Sequence, residues 1–251
     1  MIDTHTHINM IEGITIDEIL KIAKENYVDK LIVPAANPKD FKDIVELINK
    51  YDNVYGMLGV HPSDAKDWND NLIDEIKTLA ENKKIVAIGE IGLDYYWDKS
   101  FNELQKEIFI KQIKLANELN LPIDVHDREA HKDTFDILKE YNTGSKVIMH
   151  CFSGSVEFAK ECIKEGWYLG IGGVVTFKNA IKMKEVVQSV PLEHILLETD
   201  APYLTPVPFR GTENQPAYVK FAAEEIAKLR GTTFEEVNNI TTTNAERVFV
   251  L

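Results

Sequence analysis

Cysteine is scarce in this chain of 251 residues: Cys151 and Cys162 are its only two. Their spacing gives neither a CxxC pair nor a disulfide framework, which excludes a scaffold held by disulfides. Long apolar runs are missing as well, and none approaches the ~18 residues of a membrane span. The N-terminus lacks a basic stretch followed by an apolar core, so no signal peptide is expected. A cytoplasmic protein without a membrane or obligate protein partner is the simplest expectation. Asn239-Ile240-Thr241 matches a glycosylation sequon, which has no meaning without secretion. No Pro/Gly/Ser-rich stretch reads as an interdomain linker, so residues 1–251 are expected to form a single domain. Basic charge is in deficit, with 28 Lys and Arg against 41 Asp and Glu and a net charge of −13. Such a surface repels nucleic acid in general and excludes a broad footprint on duplex DNA. It leaves room for a small phosphate site where metal ions and a few arginines reverse the local sign.

What the chain does contain is a 44% hydrophobic content in a regular alternation. Short apolar runs predict strands at Ile2–His7, Lys30–Pro34, Val54–Val60, Ile85–Ile91, Ile123–His126, Val147–His150, Tyr168–Gly172 and Ile195–Leu197. Amphipathic segments between them predict helices over Thr15–Ala23, Phe41–Lys50, Leu72–Glu81, Glu103–Leu119, Ala130–Tyr141, Val156–Glu165, Ala180–Val190 and Ala217–Leu229. A final short helix is expected after Thr241–Thr243. Eight βα units specify a parallel sheet with helical crossovers. Their number suits a (β/α)8 barrel, an α/β fold that commonly takes about this many residues. A doubly wound open sheet is the competing arrangement.

The first strand carries Asp3-Thr4-His5-Thr6-His7. Side chains alternate along a strand, so His5 and His7 share a face and look like a pair of metal ligands. A metal needs three or four ligands, and the remaining strands offer them. His61 follows the third strand, Glu90 ends the fourth, His126 the fifth and His150 the sixth, and Asp200 follows the eighth. One histidine at a strand end is commonly a surface or core residue. His5, His7, Glu90, His126, His150 and Asp200 together come from five strands whose carboxyl ends converge on one mouth of a parallel barrel, where catalysis sits in that fold. Mixed imidazole and carboxylate ligation suits Zn, Mn, Fe or Ni, with Mg least at home. Six ligands exceed one tetrahedral ion, so two divalent ions are expected, with Glu90 bridging.

These motifs, with Gly89-Glu90-Ile91-Gly92-Leu93-Asp94-Tyr95, Pro122-Ile123-Asp124-Val125-His126-Asp127-Arg128, His150-Cys151-Phe152-Ser153-Gly154 and Glu198-Thr199-Asp200-Ala201-Pro202-Tyr203-Leu204, resemble the TatD family of metal-dependent hydrolases. The likeness runs in order from residue 3 through Arg210 to Pro216. It implies an amidohydrolase-like TIM barrel with divalent metals at His5, His7, Glu90, His126, His150 and Asp200. It further implies phosphodiester hydrolysis in DNA, typically as a 3′–5′ exonuclease on single strands. Related proteins act on other esters, including aminoacyl-tRNA, and a small carboxylic ester, lactone or amide is the alternative substrate. At Asp124 the chain departs from the family pattern, which is usually apolar there; the carboxylate is a candidate to orient Arg128 or a ligand histidine.

On this reading Asp200 is the general base for water, with Glu90 and His61 completing the catalytic set. His61, Arg128, His131, Ser153 and Arg210 are the candidate substrate contacts, the arginines gripping phosphate bidentately. His61 or His131 is the candidate donor to the leaving oxygen. Tyr95, Tyr96, Trp97 and Phe152 are candidates to stack bases of a single strand. Cys151 would point away from His150 along a strand and is read as structural.

Overall fold

The computed structural model describes residues 1–251. The strands are β1 (Ile2–Asp3), β2 (Lys30–Pro34), β3 (Val54–Leu58), β4 (Ile85–Asp94), β5 (Ile123–Arg128), β6 (Val147–Met149), β7 (Tyr168–Ile171) and β8 (Ile195–Leu197). The helices are α1 (Ile16–Glu25), α2 (Phe41–Lys50), α3 (Asn71–Leu79), α4 (Asn102–Leu119), α5 (His131–Tyr141), α6 (Val156–Lys164), α7 (Ile181–Ser189), α8 (Val219–Arg230) and α9 (Phe234–Phe249). The sheet runs β1 to β8 in sequence order. That order, with helices between the strands, is that of a (β/α)8 barrel. A doubly wound sheet would reverse its strand order at a switch point. No helix is long and apolar enough to cross a membrane.

The chain divides into two compact units, Met1–Val33 with Cys151–Leu251, and Pro34–His150. In the first, β1 pairs with β2 and β7 with β8, all parallel. Leu31, Ile32, Leu169, Ile195 and Leu196 are fully buried there, with Ala222, Ala223 and Ile226 of α8. α1 starts at a reciprocal cap: Glu18 N donates to Thr15 Oγ1, and Thr15 N donates to the Glu18 carboxylate. Its buried stripe is Ile19, Leu20 and Ala23.

In the second unit β3, β4, β5 and β6 are parallel neighbours. All ten residues of β4 are buried, as expected of a parallel strand covered on both faces. α2 contributes Phe41, Ile44 and Ile48 to the core, and α4 contributes Ile108, Phe109 and Ile113.

Two expectations need correction. β1 ends at Asp3 rather than His7. Thr4 N donates to Leu197 O of β8, whereas Thr6 N donates to Ile32 O of β2. Residues of equal parity therefore turn to opposite neighbours, and the chain rotates between them. The last helix begins at Phe234, not after Thr243. Thr233 caps it by accepting from Glu236 N. Thr241, which reads as a start signal, sits inside and donates back to Val237 O, the mid-helix option open to threonine.

α9 fastens the start of β8. The buried Asn244 donates to Leu192 O at 2.7 Å and Ile195 O at 2.9 Å. Asn244→Ala leaves both carbonyls without this donor, at a cost on the order of 2 kcal/mol. The check is a lowered urea midpoint with an unchanged slope.

Candidate metal centre

The first unit holds one cluster of donors. His5 and His7 converge although the strand stops before them: their Nε2 atoms are 3.3 Å apart. Asp200 Oδ1 lies 3.9 Å from His5 Nε2 and 3.6 Å from His7 Nε2. A ligand bond of about 2.1 Å lets two donors share one ion up to a separation of about 4.2 Å. All three pairs pass, and the two nitrogens would subtend about 104° at that bond length, near tetrahedral. The donor set therefore fits a divalent ion.

Backbone bonds set this geometry. Asp200 N donates to His5 O at 2.9 Å and His7 N to Ala201 O at 2.7 Å. Beneath them the fully buried Asp3 accepts from Thr199 N at 2.9 Å and Thr199 Oγ1 at 2.6 Å. Burial pushes the Asp3 carboxyl up to about 8 despite these bonds, and the nearby Glu198 charge adds to the rise. Asp200 itself has φ +54, an uncommon left-handed conformation for a residue other than glycine.

The second unit holds the other cluster, centred on Glu90 Oε1. That oxygen is 2.8 Å from His126 Nδ1, 3.7 Å from His61 Nε2 and 3.8 Å from His150 Nε2. Each of these nitrogens is near enough to that oxygen for the two to share an ion. Glu90 does not end its strand, as expected from sequence, but lies within β4 where the register with β5 shifts between Ile88 and Ile91. Such a bulge re-aims a side chain. The neighbouring glycines make room. A Cβ on Gly92, at φ +147, would fall 2.0 Å from His126 O, and one on Gly89 would fall 2.6 Å from Asp124 Cβ. Asp124 is buried on β5 beside that glycine.

The His61 and His126 rings meet edge to face at 4.4 Å, and their surroundings shift them in opposite directions. His126 is held on both sides, Nδ1 by Glu90 and Nε2 by Asp94 Oδ2 at 3.0 Å. Burial opposes its charge, but the bonds to Asp94 and Glu90 outweigh it and raise His126 to about 9. Two carboxylates that favour an imidazolium favour a divalent cation equally, and Asp94 gives a ligating His126 the outer partner such residues commonly have. His61 goes the other way. Burial lowers it to about 4 against the pull of Glu90. Ser63 N lies 3.1 Å and the Ser63 hydroxyl 2.6 Å from His61 Nδ1, which leaves Nε2 facing Glu90.

Two residues that the sequence reading missed hold these strand ends. Gln105 and Gln112 are buried on α4. Gln105 pairs with the backbone of Asp94, accepting from N at 2.9 Å and donating to O at 3.0 Å. Gln112 makes the same pair with Val60, the residue before His61, at 2.8 and 3.1 Å. Their signal was a pair of amides at i and i+7 on an otherwise apolar helix face.

The remaining candidates are placed variously. His131 Nδ1 pairs with Asp127 at 2.7 Å, which raises its pKa. Ser153 is exposed, two residues before Ser155, which caps α6 by accepting from Phe158 N. Arg210 donates to Thr205 O and lies 4.0 Å over the Phe177 ring. Arg128 lies over Tyr96 and Trp97. Phe152 is buried and stacked on Phe158, and Tyr95 donates its hydroxyl to Asp133. Neither ring is presented to a base.

A parallel (β/α)8 sheet with histidine–carboxylate clusters along and just beyond its strands defines the class of metal-site barrels. Residues 2–250 match the family described as TatD related DNase. The uncharacterized metal-dependent hydrolase YabD of Bacillus subtilis is 48% identical over 251 residues, spanning 99% of this chain and 98% of that protein. YcfH of Escherichia coli K12, also named an uncharacterized metal-dependent hydrolase, is 37% identical over 254 residues, spanning 99% and 95%. Among solved structures, YjjV, a TatD homolog from Escherichia coli K12, superposes with a TM-score of 0.93 at 31% identity, covering 100% of this chain and 98% of that one. An uncharacterized amidohydrolase from Saccharomyces cerevisiae shares the fold, with a TM-score of 0.80 at 18% identity. The chain belongs to the TatD family.

Two outcomes are expected. His5→Ala combined with His7→Ala lowers the bound divalent metal per chain by elemental analysis; unchanged stoichiometry removes both from the ligand set. The second concerns metal-free protein. His126 has a folded pKa of about 9 against 6.5 ordinarily, so its protonation stabilises the fold fully below about pH 6.5 and the contribution is lost as pH rises through about 9. Urea resistance of the metal-free protein should fall across that window, and His126→Gln should flatten the fall.

Proposed function

We propose that the protein is a divalent-metal-dependent phosphodiesterase acting on DNA, removing nucleotides from single-stranded 3′ ends. The observation that carries this reading is the donor set: His5, His7 and Asp200 in one group spaced for one ion, and Glu90 with His126 and His150 in the other, each nitrogen within sharing distance of one carboxylate oxygen. Divalent ions held there, of the Zn, Mn, Ni or Mg kind, supply a lowered water pKa and neutralise charge gathering on phosphoryl oxygens. Membership in a family described as TatD related DNase supports the phosphodiester as the bond attacked.

The chain's own residues then divide the work. Asp200 is the general base, because its carboxylate stands at the edge of the His5–His7 pair and is partly open to solvent. Glu90 orders three histidines through one oxygen. His61 is a polar contact for a phosphoryl oxygen; a group lowered to about 4 carries no charge at neutral pH and is a poor candidate for proton donation as imidazolium. Arg128 offers bidentate donors to phosphate, with Arg210, His131 and Ser153 as further polar contacts. The net charge of −13 disfavours long duplex substrates and leaves recognition to such local cations.

The test is a substrate panel with metal-loaded protein: 3′-labelled single-stranded DNA, duplex DNA, RNA, aminoacyl-tRNA and simple esters. Single-stranded DNA should be shortened from its 3′ end, and Asp200→Asn should reduce the rate at least about 100-fold. Cleavage no faster than that of Asp200→Asn with any of Mg, Mn, Zn or Ni overturns the assignment. Faster turnover of the esters or aminoacyl-tRNA would move the substrate to a carboxylic ester.

A further inference from the structure

Tyr96 and Trp97 lie two and three residues beyond the end of β4 and are 47% and 72% exposed. Their rings meet edge to face at 4.7 Å. The Arg128 guanidinium lies 4.0 Å from the centre of the Tyr96 ring and 5.4 Å from that of Trp97. Arg210, Arg230 and Arg247 each donate to a backbone carbonyl. Arg128 has no such bond and no carboxylate partner, so its planar donors are unspent. The neighbouring lysines are spent: Lys66 pairs with Asp98 and Lys99 with Glu129. In a chain of net charge −13, an arginine held by aromatic faces rather than by acid is a local reversal of sign.

The cluster is wired to the Glu90 group. Tyr96 N donates to Asp94 Oδ1 at 2.9 Å, with Trp97 N at 3.4 Å. The other oxygen of the same carboxylate faces His126 Nε2. Arg128 lies two residues beyond His126 on β5, on the same face by strand alternation.

We propose that Tyr96, Trp97 and Arg128 form a recognition platform for an unpaired nucleobase and its adjoining phosphate, which makes the occupant a single-stranded nucleic acid. The inference rests on the phosphodiesterase reading and adds the residues that would hold an unpaired base. An indole and a phenol offer π faces to any base, so the grip is tolerant of sequence. In a duplex those base faces are covered by their stacked neighbours. The guanidinium meets a phosphate with two parallel N–H donors, and its place over the rings pre-orients it. Tyr95, beside the pair in sequence, is committed to Asp133, and Phe152 is committed to Phe158.

The test measures binding, with the full metal-loaded chain and an oligothymidylate carrying phosphorothioate linkages to slow its cleavage. Trp97→Ala and Tyr96→Ala should each weaken binding about 5-fold or more. Tyr27→Ala, which removes an exposed ring packed on Phe234, should leave it unchanged. Wild-type protein should bind the same backbone without bases, and a duplex of the same length, more weakly by a similar factor. Equal affinity for the base-free strand or the duplex overturns the platform, as does unaltered binding by both ring variants. A small chromogenic phosphodiester, too short to reach the platform, is assayed separately with wild-type protein. Failure to cleave it in any metal defeats the phosphodiesterase reading and leaves the binding result standing on its own.

Discussion

A single buried carboxylate carries the first donor cluster. Asp3 sits in β1, and both its oxygens are taken by Thr199, one by the amide and one by the hydroxyl. The hydroxyl in turn accepts from Ala201 N. This joint ties residues almost two hundred positions apart. Above it the backbone closes again, Asp200 N to His5 O and His7 N to Ala201 O. The turn that follows β8 is thus locked to the turn that follows β1, and Asp200 has little freedom to leave the two imidazoles. Burial of a group raised to about 8 is an unfavourable element in the core, tolerated because the same bonds register the ligands.

The second cluster uses its surroundings differently. Glu90 approaches three imidazoles through one oxygen, and two of them are shifted in opposite directions, His61 down by burial and His126 up by its bonds to Asp94 and Glu90. Nδ1 of His61 accepts an amide N–H from Ser63, which suits a neutral ring. Nε2 of His126 meets the Asp94 carboxylate, which suits a charged one. The same Asp94 accepts from Tyr96 and Trp97. Charge at His126 and placement of the exposed aromatic pair are consequently linked through one side chain.

Much of this was legible in the sequence because it follows from periodicity. Lys30–Pro34, Phe41–Lys50 and Ile195–Leu197 lie where apolar spacing puts them. Among the metal-ligand candidates, His5, His7 and Asp200 lie together, as do Glu90, His126 and His150. Three features were hidden for physical reasons. The rotation after Asp3 comes from hydrogen bonds to two different neighbours, which no local pattern announces. The start of α9 was masked by threonines whose hydroxyls return to the helix backbone. Glu90 owes its aim to a shift of register, a property of the pairing of two strands and of neither alone. Gln105 and Gln112 carried no message in the sequence, because an amide on an apolar stripe makes sense only once its backbone partners are known.

Those two glutamines give α4 the character of a gauge. They stand seven residues apart, about 10.5 Å along a helix axis, and each reads the amide and carbonyl of one strand end. The distance between the backbone next to His61 and the backbone of Asp94 is thereby measured in helical turns. A gauge tolerates repainting better than recutting. Exchanges on the outer face of α4 leave the two marks where they are, whereas a residue inserted between them rotates one mark by about 100° and removes it from its strand. Length, more than composition, is what this helix contributes.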